Sequence, residues 1–164
     1  MTWQAYLILA LVTLQRVGEL VLAERNTRRL CAKGAHEVGR GHYPFVVAIH
    51  AGWLAALWLL GPGPPVHVLP LILYVALQGA RVWVIASLGE RWTTRIIVLP
   101  GAPLVRHGPY RWVDHPNYWV VFAEIAVLPL VFGLPEVAVF FTILNAIVLW
   151  VRIREENQAL APHR

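Results

Sequence analysis

Apolar residues run in five long stretches, at about 3–23, 43–60, 66–88, 117–133 and 136–152, and each approaches the roughly 20 residues a helix needs to cross a bilayer core. The pattern predicts five transmembrane helices. Gly61-Pro62-Gly63-Pro64-Pro65 separates the second stretch from the third, and Gly133-Leu134-Pro135-Glu136 the fourth from the fifth. Clusters of Gly and Pro end helices and turn the chain, so the last two stretches are expected to form a helical hairpin. Pro116 suits the first turn of a helix and pushes His115 out of helical conformation. The fourth helix should therefore begin there, with Asp114 or His115 at its cap.

Composition excludes a soluble domain: 58% of residues are hydrophobic and only 14% charged, where a soluble chain carries about a quarter charged. Mean hydropathy is +0.57. The expected fold class is an all-α integral membrane protein, a single membrane domain over residues 1–164 with no repeat or soluble domain. The first stretch lacks a basic start and contains Gln15, Arg16 and Glu19, so it is expected to be retained rather than cleaved as a signal.

Charge then orients the chain. Arg25, Arg28, Arg29, Lys33 and Arg40 lie between the first two stretches, Arg91, Arg95, Arg106 and Arg111 between the third and fourth, and Arg152, Arg154 and Arg164 at the end. The two short turns hold no Lys or Arg. The positive-inside rule places the N-terminus outside and the C-terminus in the cytoplasm, as an odd number of spans requires. A bacterial inner (plasma) membrane location with a cytoplasm-facing site follows as the expectation. The pI near 10.0 is explained by this topology and by anionic lipid headgroups. No nucleic-acid motif accompanies the charge, so no nucleic-acid partner is expected. Cys31 is alone and cannot form an internal disulfide or a CxxC pair. His107 and His115 lack any recognised ligand spacing, so no metal is expected.

Ionisable and polar groups inside the stretches are costly and usually face a cavity or a partner. Arg16, Glu19, His50, Gln78, Arg81, Glu124 and Asn145 all fall in the middle or cytoplasmic half of their stretches. Arg16 and Glu19 have the spacing of a pair on one helix face, and Arg81 has the stem to snorkel to the interface. Taken together, the one-sided distribution predicts a wet pocket open to the cytoplasm rather than a path through the membrane.

Residues 107–118, His-Gly-Pro-Tyr-Arg-Trp-Val-Asp-His-Pro-Asn-Tyr, form the one polar, motif-dense segment. The fourth and fifth helices would each run about 18 residues, or roughly 27 Å. That returns Glu155 and Glu156 to the level of Pro116. The positive N-terminal end of one helix, two carboxylates at the end of its neighbour and the His, Tyr and Arg side chains of the loop would then make one site. Such a site suits a zwitterionic ligand.

Gly-Pro-Tyr-Arg at 108–111, His-Pro-Asn-Tyr at 115–118 and Arg-x-Arg-Glu-Glu at 152–156 resemble the C-terminal half of the isoprenylcysteine carboxyl methyltransferase family, over a core of about residues 89–160. More loosely they resemble phospholipid methyltransferases. Arg25-Asn26, Gly34-Ala35-His36-Glu37-Val38, His42-Tyr43-Pro44 and Trp92-Thr93-Thr94-Arg95-Ile96 are similar to small bacterial members encoded beside type III polyketide synthases, which methylate long-chain pyrones or phenolic lipids.

The resemblance implies an S-adenosyl-L-methionine-dependent O-methyltransferase, with a lipophilic acceptor entering from the bilayer. Carried over position by position, it implies a cofactor site made by Gly108, Tyr110, His115, Pro116, Tyr118 and one or both of Glu155 and Glu156. Asp114 stands where the family commonly has Arg, so Arg111 or Arg106 would take over the cofactor carboxylate. Trp119 and Val120 stand where the family has a small residue shortly after the Tyr. Trp119 would either narrow the pocket or face lipid.

Methyl transfer needs positioned reactants and exclusion of water, and no metal or covalent nucleophile. The acceptor must be an anion or become one: a carboxylate or acidic enol is already ionised, while a phenol needs a base or a nearby cation. Arg81, Arg95 and Arg111 are the candidates for that cation. The alternatives are an NADPH-dependent membrane lipid reductase, whose C-terminal half looks similar in sterol reductases, and a non-catalytic membrane protein.

Overall fold

The computed structural model describes residues 2–161; Arg164, counted above among the basic residues at the end, lies outside them. In chain order the elements are α1 (Thr2–Ala32), β1 (His36–Val38), α2 (Tyr43–Leu60), α3 (Val68–Leu88), β2 (Ile96–Val98), α4 (Pro116–Val131) and α5 (Pro135–Leu160). Short 3-10 turns lie at Arg40–His42, Gly89–Arg91 and Gly108–Arg111. Proline occupies the first turn of α2, α4 and α5, where its missing N–H costs no hydrogen bond.

Four helices, α1, α2, α3 and α5, are long and apolar enough to cross a membrane. The fourth expected span is shorter, because α4 holds 16 residues. It stops where the Pro129 carbonyl accepts from Phe132 and Leu134 N–H groups, both at 3.0 Å, in a tight turn. Gly133 closes that turn at φ 67°, with His67 Nε2 3.0 Å from where a Cβ would stand, so no other residue fits there without strain.

Two helices overrun their apolar stretches. α1 continues to Ala32 and α5 to Leu160, because neither 24–32 nor 152–160 contains Gly or Pro. Arg28 also reaches back one turn to Glu24 at 2.8 Å. Glu155 and Glu156 are therefore interior residues of α5 rather than its end.

The fold is helical as expected, with one addition: β1 and β2 pair antiparallel, with His36 opposite Val98, Glu37 opposite Ile97 and Val38 opposite Ile96. The β-branched run Ile96-Ile97-Val98 favours a strand, and Ile96 and Val98 turn inward and are buried. This ribbon ties the loop after α1 to the loop after α3. Buried Asn26 reinforces the tie, donating from Nδ2 to the Trp92 carbonyl at 2.9 Å and the Gly89 carbonyl at 3.2 Å.

α4 packs chiefly against α3 and α5, and an apolar core built on Leu9, Trp53, Leu57, Leu128 and Phe132 joins α1, α2 and α4. Large apolar side chains such as Leu59 and Leu69 point outward. Lipid tails are as apolar as these side chains, so helix association has to come from packing and from polar contacts between helices.

Those polar contacts account for most of the intramembrane residues singled out above. Arg81 Nε lies 2.8 and 3.0 Å from the two Glu124 oxygens, and its Nη2 also donates to Glu124. Its Nη1 reaches Glu19 at 3.1 Å. Arg16 bonds Glu19 at 2.9 Å and Glu124 at 3.0 Å, and Gln78 donates to Glu124 at 2.9 Å. Two cations and two carboxylates thus close on one another across α1, α3 and α4. His50 is satisfied within its own helix by the Val46 carbonyl at 2.8 Å. The expectation of a wet pocket lined by these residues is corrected, because none of the seven borders the cavity described below.

Candidate functional site

A cavity of about 630 Å³ lies between β2, the loop 99–107, the Gly108–Arg111 turn, the start of α4 and the last turns of α5. Its apolar wall includes Leu30, Trp92, Ile96 and Val98, and its polar wall includes Tyr110, His115, Tyr118, Arg152 and Glu156. The volume falls inside the roughly 300–1,000 Å³ range of small-molecule sites.

The polar wall is built by two helix ends. His115 is the N-cap of α4 at φ −128° and makes no side-chain cap bond, which frees its ring for the cavity side. Tyr118 lies one turn further and is buried, with the His115 ring stacked on its own at 5.4 Å between centroids. On α5, Asn145, Leu149 and Arg152 are buried along one face, and Glu156 continues it at helical spacing. Tyr118 Oη donates to Glu156 Oε2 and accepts from Arg152 Nε at 2.8 Å. His115 Nδ1 lies 3.5 Å from Glu156 Oε2, and its Nε2 lies 3.1 Å from Asn157 Oδ1.

Electrostatics follow from these contacts. The Glu156 carboxylate holds the His115 imidazole above its ordinary range, against the opposing effect of burial. Burial pushes the Tyr110 phenol well above its usual range, so it remains a neutral hydrogen-bond donor. Both His115 and Tyr118 contact the same Glu156 oxygen, Oε2, which leaves Oε1 for a ligand.

Of the residues expected in a cofactor site, Tyr110, His115, Tyr118 and Glu156 line this cavity. Gly108 and Pro116 shape the backbone beside it. Gly108 opens the 3-10 turn at φ 58°, and a Cβ there would stand 2.1 Å from Ser87 Oγ on α3, so the turn seats on α3 only with glycine. Glu155 is on the other side of α5, in a separate groove with Gly39, His42 and Phe45. Neighbouring helix positions point about 100° apart, which is why one glutamate faces the cavity and the other does not.

The cation candidates divide in the same way. Arg95 and Arg111 line the cavity, with Arg95 clamped by Glu37 at 2.9 and 3.2 Å and stacked over Tyr43 at 4.4 Å. Arg106, the other cation considered for the cofactor carboxylate, borders the cavity too, as does exposed Asp114. Arg81 does not, and it is paired with Glu124 and Glu19 inside the helix bundle rather than snorkelling to the interface. Trp119 is 67% exposed and faces away from the cavity rather than narrowing it.

Arg152 and Asn157 were not recognised as site residues in the sequence. Arg152 precedes Glu156 by four residues, one helical turn, and that spacing is the signal that could have found it. Asn157 has no such signal, since its contact is to His115, 42 residues away. Trp92 Nε1 and Asn117 Oδ1, on residues that also border the cavity, are buried without a hydrogen-bond partner among the described residues. Such atoms are expensive unless a ligand or water completes them. Among the described residues no group of His, Cys, Asp and Glu could hold a metal ion.

The family model described as isoprenylcysteine carboxyl methyltransferase (ICMT) family matches residues 70–162, which include the 3-10 turn, α4 and the polar face of α5. The uncharacterized protein YpbQ of Bacillus subtilis (strain 168) is 37% identical over 160 residues, covering 94% of this chain and 95% of that one. An uncharacterized protein of Haemophilus influenzae is 25% identical over 155 residues, covering 89% and 88%. No solved structure matches.

Proposed function

Because the chain belongs to the isoprenylcysteine carboxyl methyltransferase family, a family of membrane methyltransferases, we propose that it transfers the methyl group of S-adenosyl-L-methionine to an oxygen of a lipophilic acceptor. The observation that carries this reading is the single polar wall that Tyr110, His115, Tyr118 and Glu156 make in one cavity.

The wall fits the methyl donor by its chemistry. A carboxylate such as Glu156 accepts from an ammonium or ribose hydroxyls, and the aromatic face of Tyr110 favours a nearby sulfonium. Arg106, which is in no ion pair among the described residues, matches the donor's carboxylate. The bound donor supplies an electrophilic methyl group: an acceptor oxygen forms the new C–O bond as the C–S bond breaks, and S-adenosylhomocysteine leaves. The protein's own part is to hold both partners in line and keep water out, which the buried strand residues Ile96 and Val98 and the ring of Trp92 do on the apolar side. Arg95 and Arg111 hold the acceptor as an anion.

The acceptor we favour is a single-tailed lipid with an acidic oxygen, a long-chain alkylpyrone or phenolic lipid or an isoprenylcysteine-like carboxylate, reaching the site sideways from the bilayer. The Lys and Arg bias of the loops supports a site facing the cytoplasm at an inner membrane, with the N-terminus outside.

Purified protein in mild detergent tests the reading. S-adenosylhomocysteine at about 100 times its dissociation constant should stabilise the protein by about 2.7 kcal/mol, a melting rise of roughly 5 to 10 °C. NADPH should not. A rise with NADPH and none with S-adenosylhomocysteine would replace methyl transfer with a reductase. Tritium from labelled S-adenosylmethionine entering added alkylpyrone, alkylresorcinol or prenylcysteine analogue then identifies the acceptor.

A further inference from the structure

His115 presents both ring nitrogens to oxygen atoms on α5. Nε2 is 3.1 Å from Asn157 Oδ1, and Nδ1 is 3.5 Å from Glu156 Oε2. Neither nitrogen is spent on capping α4, and the ring face is covered by Tyr118 at an interplanar angle of 19°. A neutral imidazole carries one N–H and one lone pair, so one of the two oxygens would meet a lone pair. Only the doubly protonated ring satisfies both. The end of the Asn157 amide that faces Nε2 makes the selection: its oxygen calls for a proton on that nitrogen, whereas its NH₂ would call for a lone pair.

We propose that Asn157 is a positioning residue that, together with Glu156, keeps His115 as an imidazolium in the cavity wall. The consequence for ligand binding rests on the proposed methyltransferase reading, while the state of the ring does not. A charged ring holds Glu156 by Oε2 and turns Oε1 to the ligand; a neutral ring with its lone pair on Nδ1 would repel that carboxylate and release it. The charged and titratable neighbours among the described residues set the balance. Glu156 from α5 and Asp114 from the preceding loop favour the charged ring, Arg152 from α5 opposes it, and the Tyr118 and Tyr110 phenols are neutral partners. The net direction is upward from the ordinary histidine value. The imidazolium's contribution is therefore complete below about pH 6.5 and is lost as pH rises through the raised midpoint.

The test is nitrogen NMR of the full-length protein, labelled with ¹⁵N-histidine, in detergent micelles without ligand. The His115 signals are assigned by difference against His115→Gln. The parent should show two protonated ring nitrogens near neutral pH. Asn157→Leu should lower the His115 midpoint by about one pH unit, and Asn157→Asp should restore or raise it. A lone pair on Nε2 of the parent near neutral pH overturns the proposal, and this measurement stands even if the leucine variant does not fold. Equal midpoints in the parent and a folded Asn157→Leu also overturn it.

A second readout uses S-adenosylhomocysteine as the probe. Asn157→Leu should bind it like the parent at about pH 5.5 and roughly tenfold more weakly at about pH 8, because only the higher pH discharges the ring. The same deficit at both values would reduce Asn157 to a packing role. Failure of the parent to bind S-adenosylhomocysteine counts against methyl transfer and leaves the NMR result to judge the ring.

Discussion

Glu156→Gln is the substitution on which the site stands or falls, because it changes one charge and almost no volume. In the parent, Oε2 accepts from Tyr118 Oη and faces His115 Nδ1 at 3.5 Å, and Oε1 is left for the ligand. Glutamine keeps an oxygen for one of these partners but loses the charge and places an NH₂ where the other acceptor stood. The attraction between the charged His115 ring and Glu156 is lost as well, so the side-chain end is no longer held toward the ligand. The ligand contact is a full charge-assisted hydrogen bond, worth about 1.5 to 3 kcal/mol, so affinity for S-adenosylhomocysteine should fall roughly tenfold to a hundredfold. Glu155→Gln makes the identical chemical change on the other side of α5, beside Gly39 and His42, and should leave affinity within about twofold. Calorimetric titration in detergent at neutral pH reads both, with the melting temperature of each variant recorded to separate binding from folding. Equal losses in the two variants would refute the assignment of Glu156 to the ligand and Glu155 to the outer groove. No loss in either would dissolve the union of the His-Pro-Asn-Tyr segment with α5 into one site.

Three further outcomes are expected. Arg81→Leu or Glu124→Leu alone should each cost about 3 to 5 kcal/mol, since either leaves an unbalanced charge in the membrane interior; the double variant keeps the Arg16–Glu19 pair and should cost much less than the sum, with additive melting losses ruling out the closed network. Gly108→Ala should lower the melting temperature and S-adenosylhomocysteine affinity together, because its Cβ would stand 2.1 Å from Ser87 Oγ at φ 58°; unchanged melting would show that the 3-10 turn does not depend on that close approach. Cysteines placed at Pro64 and Leu134 in a Cys31→Ser background should label from outside intact cells, and those at Lys33 and Gly101 should not; outside labelling of Gly101 would invert the orientation.

Composition and the apolar stretches were enough to read the membrane class, and Pro116 the start of α4, because helix initiation at a proline is a local matter of backbone sterics. The union of His115, Tyr118 and Glu156 was also legible, since a hairpin of two adjacent apolar stretches of similar length returns the chain to its starting level. What the pattern could not specify is rotation and distant partnership. Glu155 and Glu156 are equivalent by type, and only the packing of α5 on α4 turns the second toward the cavity. Arg81 reads alone as an anion-seeking group, and its partners on α1 and α4 lie 62 and 43 residues away. The pairing of β1 with β2 joins residues near 37 to residues near 97, and Asn157 meets His115 across 42 residues. Each of these contacts is decided when helices dock, because burying a charge or a strand edge is tolerable only beside the one group elsewhere in the chain that completes it.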